Sequence, residues 1–194
     1  MVFANMATWK DFKAAAATCR QARAISRQNE QFIACTWIDN MLPPSVRKLG
    51  IMAVASRMFD EDDVEEFIEK YISHEGDYPY TYKSMEVASA LPDLIEAAET
   101  VMMTKLERNP YPFRYPSGDS TPAEYARELR ACFMIETARN LFNGSEEDSD
   151  EETFGEKKRA YWTAFSKVEV QAARVMFDSY EQCLFKGVSQ HIAP

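Results

Sequence analysis

At 194 residues, with 46% hydrophobic residues and six glycines, the chain has the size of one globular domain and a composition that favours helices over sheets. Its formal net charge of -9 argues against a simple basic-patch nucleic-acid binder. The charge does not exclude RNA held by a few locally placed arginines.

The cysteines and histidines do not form a metal-binding or redox motif. The four cysteines have no CxxC spacing, and the chain contains two histidines. We therefore expect reduced, mostly buried cysteines and neither a metal nor a cofactor. No segment approaches the roughly 20 apolar residues of a membrane span, so we expect a soluble intracellular protein.

The amino-terminal part reads as helical. Residues 9–41 predict two short helices or one broken helix, which the pair Pro43-Pro44 stops. Ser45 is the expected cap of a third helix, and residues 64–73 predict a further short one. Residues 77–83, with tyrosines alternating around a proline, are the only strand-like piece, so we expect at most a small β-ribbon.

The segment from Met85 to Phe142 predicts a helical hairpin around which the chain is organised. Apolar residues recur at helical spacing before and after a turn rich in proline and aromatic residues, at 109–120. The sequence Thr121-Pro122-Ala123-Glu124 is typical of a helix start, because Glu124 can close a capping box.

The carboxyl-terminal part combines a polar run with one more predicted helix. Residues 146–152 include six carboxylates in seven residues, so we expect an exposed acidic loop over 143–155. A last helix is expected from about Glu156 to Phe185, and residues 188–194 are expected to be a loose tail. The whole chain, 1–194, is thus predicted to be a single helical domain.

Nothing in the sequence selects a catalytic site. His74 and His191 lie outside any nucleophile–base signature, and glycine-rich phosphate loops and HExxH are absent. Acidic residues are too widely spread to single out a catalytic pair. We therefore expect a protein that is not an enzyme, with a carboxylate enzyme kept as the third alternative.

Three arginines, Arg27, Arg130 and Arg139, lie among apolar residues on predicted helices. An arginine in such surroundings either pairs with a carboxylate of the same chain or binds a phosphate. The candidate carboxylates are Asp39, Glu99 and Glu136. The residues alone leave both interpretations open.

The amino-terminal residues resemble a known family. The sequence Trp9-Lys10-Asp11-Phe12, then Arg27 eighteen residues after the tryptophan and Pro43 after an apolar helix, is similar to coat proteins of rigid rod-shaped plant RNA viruses (the tobamo-, tobra- and hordeivirus groups). Gln21 departs from the pattern, since the family typically has phenylalanine there.

The central hairpin carries the second part of the resemblance. Residues 91–108 are similar to the tobamovirus helix that ends in RNA-contacting arginines; Lys105 falls on one of these positions, and Glu107 replaces another. Residues 120–124, with Arg130 six residues after Glu124, look like the start of the family's next long helix. The acidic pair expected shortly after it is missing, because residues 133–134 are Phe and Met.

The resemblance implies an all-α fold, an antiparallel four-helix bundle with extra short helices, arranged around RNA. The function it implies is that of a structural coat (capsid) protein, which self-assembles helically around single-stranded genomic RNA in the virion and in the host cytoplasm. Its expected partners are RNA and further copies of itself, with no membrane. The candidate RNA-binding residues are Arg27, Lys105, Arg108, Arg130 and Arg139.

Two carboxylates near the inner turn, Glu107 and Glu124, are candidate inter-subunit groups whose protonation would permit packing. Glu124 has a second interpretation, as a capping-box residue only. The alternative function is that of a non-viral helical interaction or regulatory protein without catalysis, in which the arginines form ion pairs and the aromatic residues offer a partner surface.

Overall fold

A computed structural model of the chain describes residues 9–59, 62–73, 78, 82–107, 121–142 and 151–177, with the backbone alone for residues 9, 104–107 and 151–154. The described elements are helical, which confirms the all-α class for this part of the chain. The predicted ribbon falls largely outside it, and the described residues at 78, 82 and 83 are not in a strand.

The first three helices are α1 (Trp9–Ala17), α2 (Arg20–Gln28) and α3 (Glu30–Met41). The expected broken helix therefore has two breaks rather than one. The first break is stabilised at Cys19, whose Sγ accepts a hydrogen bond from the Ala22 N–H at 3.3 Å. Asn29 marks the second break, and its side-chain amide donates to the Ile25 carbonyl oxygen at 2.8 Å.

Helix α4 (Pro44–Ala55) begins two residues earlier than predicted, because a cap at Ser45 would make Val46 the first helical residue. Pro44 occupies the first helical turn, where its missing N–H costs nothing, so the prediction that Ser45 caps the helix is wrong. A 3-10 turn, Ser56–Met58, continues α4.

Gly50 marks a close approach of α4 to its neighbours. A Cβ there would lie 2.5 Å from Leu42 Cδ1 and 3.1 Å from Phe133 Cε2. The glycine that weakens α4 as an isolated helix therefore allows the core to close around it.

Residues 64–72 form one helical segment with a change of pitch. Helix α5 (Val64–Phe67) continues into a π-helical turn, Ile68–Ile72, which the Ser73 N–H closes by donating to the Ile68 carbonyl oxygen at 2.9 Å. The helix predicted at 64–73 is confirmed, whereas the π turn carries no signal in the hydrophobic pattern.

The predicted hairpin helices are α6 (Met85–Glu107) and α7 (Pro122–Phe142), and they pack against each other. The connecting turn, 109–120, lies outside the described residues. Helix α7 also packs along α4, and α6 packs along α3 and α4, so these four helices surround the main core. Its fully buried side chains include Ile33, Ile38, Ile51, Leu91, Leu129, Phe133 and Met134.

The last predicted helix is divided in two. Helix α8 (Glu151–Thr163) is followed, after a short break, by a helix over 167–177, here called α9. Ser166 and Glu169 form a capping box that starts the new helix, because the Glu169 N–H donates to Ser166 Oγ at 3.3 Å and the Ser166 N–H to Glu169 Oε2 at 3.0 Å.

Helix α8 also begins inside the segment predicted as an acidic loop. Carboxylates are favourable in the first turn of a helix, so residues 151–155 continue the acidic run as helix. Residues 143–150 and the predicted tail, 188–194, lie outside the described part. Within the described ranges, no helix is both long and apolar enough to cross a bilayer.

Candidate nucleic-acid interface

Helix α2 presents a row of arginines to solvent. Arg20, Arg23 and Arg27 are spaced three and four residues apart, which places them on one face of the helix, and all three are exposed. Arg20 and Arg27 are separated by about 10 Å along the axis, at 1.5 Å per residue. This arginine face contains Arg27 from the sequence prediction and two residues that the prediction missed.

Helix α2 contacts the rest of the chain through a small part of its surface. Ser26 is buried and donates to the Arg23 carbonyl oxygen at 2.9 Å, while α2 packs on α1 and α3. Helix α1 is in turn anchored by Phe12, whose ring meets Trp37 edge to face with centroids 5.3 Å apart. Helix α2 is thus connected to the core through its neighbours, whereas seven of its nine residues are exposed.

The charge around this face differs in sign from that of the whole chain. Residues 1–30 contain five of the 22 basic side chains and two of the 31 acidic side chains, Asp11 and Glu30, and the exposed Lys10 and Lys13 of α1 add to the arginines. Charges farther away than about 8 Å are largely screened at physiological salt, so the charges near this face act on a ligand more strongly than the net charge of the chain.

Within the described residues, none of the three arginines of α2 forms an ion pair, in contrast to Arg47, Arg57, Arg130 and Arg139. Guanidinium groups bind phosphate oxygens through two parallel hydrogen bonds, which a solvent-facing arginine can offer without first breaking an internal pair. The arginine face thus offers three such guanidinium groups on one side of a single helix.

Arg130 is engaged inside the chain. Its guanidinium donates to the Glu169 carboxylate of α9 and to the Ser45 carbonyl oxygen at the start of α4. Burial acts to raise the pKa of Glu169, but hydrogen bonds from Ser166 and Arg130 outweigh it and hold that pKa below its ordinary value. The carboxylate interpretation is thus observed for Arg130, with a partner that the sequence did not suggest.

Arg139 also lies beside a carboxylate, and here the partner is one that the sequence suggested. Its Nη1 is 3.7 Å from Glu136 Oε2, and Arg57 Nη2 is 3.7 Å from Glu136 Oε1. Both arginine side chains are 42% exposed, so this shared carboxylate leaves them partly accessible.

The other candidate carboxylates have different partners. Asp39 pairs with Arg47 at 3.2 Å and with Lys83 at 3.1 Å. Glu99 accepts a hydrogen bond from the Tyr125 hydroxyl at 3.0 Å. Burial, then this hydrogen bond, raises the pKa of Tyr125 to about 12.

The remaining predicted site residues divide between described and undescribed parts. Glu124 forms the predicted capping box, since its Oε2 accepts from the Thr121 N–H at 3.0 Å and from Thr121 Oγ1 at 2.8 Å. Lys105 and Glu107 lie in the last turn of α6, where the backbone alone is described, and Arg108 lies outside the described residues. Their expected contacts stay predictions.

No set of three or more acidic, histidine or cysteine side chains among the described residues is arranged to hold a metal ion.

In comparisons with known proteins, no family model, no curated protein and no solved structure matches this chain.

Proposed function

We propose that this chain is a structural coat protein that self-assembles helically around single-stranded RNA, in a virion and in the cytoplasm of its host cell. The observation that carries the proposal is the arginine face of α2, exposed and locally positive in a chain of net charge -9. Arg27 belongs to this face and is also one of the residues to which the sequence resemblance points.

The packing of the long helices supports the same proposal. Helices α3, α4, α6 and α7 pack against one another around one core. In the proposed assembly they form the antiparallel four-helix bundle of rod-virus coat proteins, with α1, α2 and α5 as additional short helices.

The acidity of the chain has a role in this function. Subunits that each carry nine excess negative charges repel one another, so assembly requires RNA, protons or cations to offset the repulsion. Few phosphate contacts per subunit suffice, because many identical subunits bind one strand and their contacts add along the filament. Binding of this kind is largely independent of RNA sequence.

A helical interaction protein that does not bind RNA is the second candidate. It is favoured by Arg130 and Arg139, two predicted RNA-binding residues that lie against carboxylates of the same chain. Under this alternative, assembly and RNA binding are both absent.

Negative-stain microscopy of the purified full chain, from about pH 5 to about pH 8 and with or without single-stranded RNA, separates the two candidates. The coat-protein function predicts rods or discs whose formation RNA or acidification promotes. A monodisperse monomer at every pH and salt concentration, with no RNA bound, would contradict it.

A further inference from the structure

An open cleft of about 660 Å³ lies between the end of α4, the π-helical turn that follows α5, and the start of α6. Its volume falls within the roughly 300–1,000 Å³ typical of small-molecule sites. The aliphatic part of its lining includes Ile51 and Val54 of α4 and Val87 of α6. The cleft is built from elements other than α2, so it is separate from the arginine face.

Aromatic rings form another part of the lining. The rings of Phe59 and Tyr82 each meet that of Tyr71 edge to face, with centroids 5.8 and 5.2 Å apart and interplanar angles of 84° and 78°. Tyr71 is itself buried and stacked on Phe67, so the half-buried rings of Phe59 and Tyr82 are the ones that offer a surface to a flat ring system.

The π-helical turn supplies two of the lining residues, Lys70 and Tyr71. π turns are rare and occur frequently at functional sites, because they change the directions of the side chains that follow. Lys70 Nζ lies 5.5 Å from the ring centroid of Tyr71 and 5.6 Å from that of Phe59. Within the described residues Lys70 has no carboxylate partner, so its ammonium group is available to an anion.

Arg57 adds a second cation to the lining, from the 3-10 turn after α4. Its Nη2 lies 3.7 Å from Glu136 Oε1, and its side chain is 42% exposed, so the guanidinium group remains partly accessible. Glu86 also lines the cleft, and its carboxylate partly offsets the two lining cations. The described lining thus combines aromatic rings with a net positive charge.

We propose that this cleft binds a nucleotide, with the base among the aromatic rings and the phosphate near Lys70 and Arg57. Stacking on aromatic side chains together with a nearby cation is the general means by which proteins hold single nucleotides without reading their sequence. The nucleotide is either a free nucleoside monophosphate or one unit of a single-stranded RNA. Either source presents the same ring and the same phosphate.

Calorimetric titration of the full chain tests the proposal with four probes: adenosine 5′-monophosphate, adenosine, inorganic phosphate and a short oligoadenylate. The test variants are Lys70→Met and Arg57→Gln, both at exposed positions, so the fold is expected to persist; circular dichroism checks this. Lys158→Met is the matched control, because Lys158 Nζ also lies over an aromatic ring, Phe142, at 6.0 Å, but outside the cleft lining.

Lys70→Met and Arg57→Gln are each expected to weaken binding of the nucleotide at least about fivefold, and Lys158→Met by less than about twofold. Saturable binding of the monophosphate, tighter than that of adenosine or phosphate, identifies a free nucleotide. Binding of the oligoadenylate alone, with the same sensitivity to the cleft variants, identifies a nucleotide within a strand.

Three results would overturn the proposal: binding of neither the monophosphate at about 5 mM nor the oligoadenylate, equal affinity for phosphate and monophosphate, or no effect of the cleft variants. If the oligoadenylate binds and only substitutions in the arginine face of α2 weaken it, the cleft proposal fails and the RNA-binding function stands.

Discussion

Arg130 and Glu169 form an ion pair that joins the middle of α7 to the first turn of α9. The same guanidinium donates to the Ser45 carbonyl oxygen, so one side chain connects three helices. Because Glu169 also forms the capping box with Ser166, the ion pair connects the start of α9 to α7.

Replacing Arg130 with Gln is expected to lower the free energy of unfolding by about 1–3 kcal/mol, because the partly buried Glu169 carboxylate loses its charged partner and the Ser45 carbonyl oxygen loses a donor. Urea unfolding followed by circular dichroism measures the change. Arg174→Gln is the control, since Arg174 is exposed on α9 and forms no ion pair within the described residues. Unchanged stability together with reduced RNA retention would instead assign Arg130 to phosphate binding.

The Arg130–Glu169 pair also predicts a pH dependence. The pKa of Glu169 is lowered from 4.5, burial being outweighed by hydrogen bonds from Ser166 and Arg130, so folding favours the ionised carboxylate. Its contribution to stability is complete above the pKa of the unfolded chain and is lost as pH falls through the lowered pKa. The stability difference between wild type and Glu169→Gln should therefore shrink on acidification, and a constant difference in urea unfolding would contradict this.

Gly50 and Gly155 offer a matched pair of glycine substitutions. A methyl group at Gly50 would meet Leu42 Cδ1 at 2.5 Å, whereas a Cβ at Gly155 would meet nothing within 4 Å. We expect Gly50→Ala to destabilise by about 1–3 kcal/mol despite its gain in helix propensity. Gly155→Ala, inside α8, should stabilise by up to about 1 kcal/mol. Thermal unfolding measures both, and equal effects of the two substitutions would refute the close packing around Gly50.

Glu124 allows its two interpretations to be separated. Glu124→Gln preserves a capping box, since glutamine can also accept from the Thr121 N–H, so subunit stability should change little. If Glu124 is an inter-subunit carboxylate, as the proposed function expects, the substitution removes a repulsive charge and shifts assembly to higher pH. Light scattering during a pH titration measures the midpoint, and an unchanged midpoint would leave Glu124 with its capping role alone.

Local patterns predicted much of the fold, because apolar spacing and helix caps act within a few residues. The hairpin helices and the Thr121–Glu124 capping box were predicted for this reason. The capping box at Ser166 and Glu169, which begins α9, has the same sequence pattern. We did not predict a helix start there because the apolar residues before and after it follow one helical spacing. The close approach at Gly50 depends on residues distant in the sequence and could not be predicted from local patterns.

The candidate site was only partly predictable. The sequence analysis named Arg27 as a candidate RNA-binding residue because of its apolar neighbours. Its spacing from Arg20 and Arg23 is the more informative pattern, and that pattern can be recognised only when Cys19 is known to cap a helix. The partner of Arg130 lies 39 residues away in the sequence, so no local pattern could name Glu169. The cleft depends on a π turn and a 3-10 turn, and hydrophobic periodicity detects neither.

The salt dependence of RNA affinity tests whether the arginine face of α2 binds RNA phosphates, as proposed. The test variant replaces Arg20, Arg23 and Arg27 with Gln. The control replaces Arg159, Lys167 and Arg174, also three exposed cations, and so changes the net charge equally.

We predict that the test variant binds single-stranded RNA more weakly and that its plot of log affinity against log salt is shallower by about 2, at roughly 0.7 per phosphate contact. The control should keep most of the wild-type slope. A slope that is unchanged in the test variant, or reduced equally in both variants, would contradict the assignment of α2 as the RNA-binding surface.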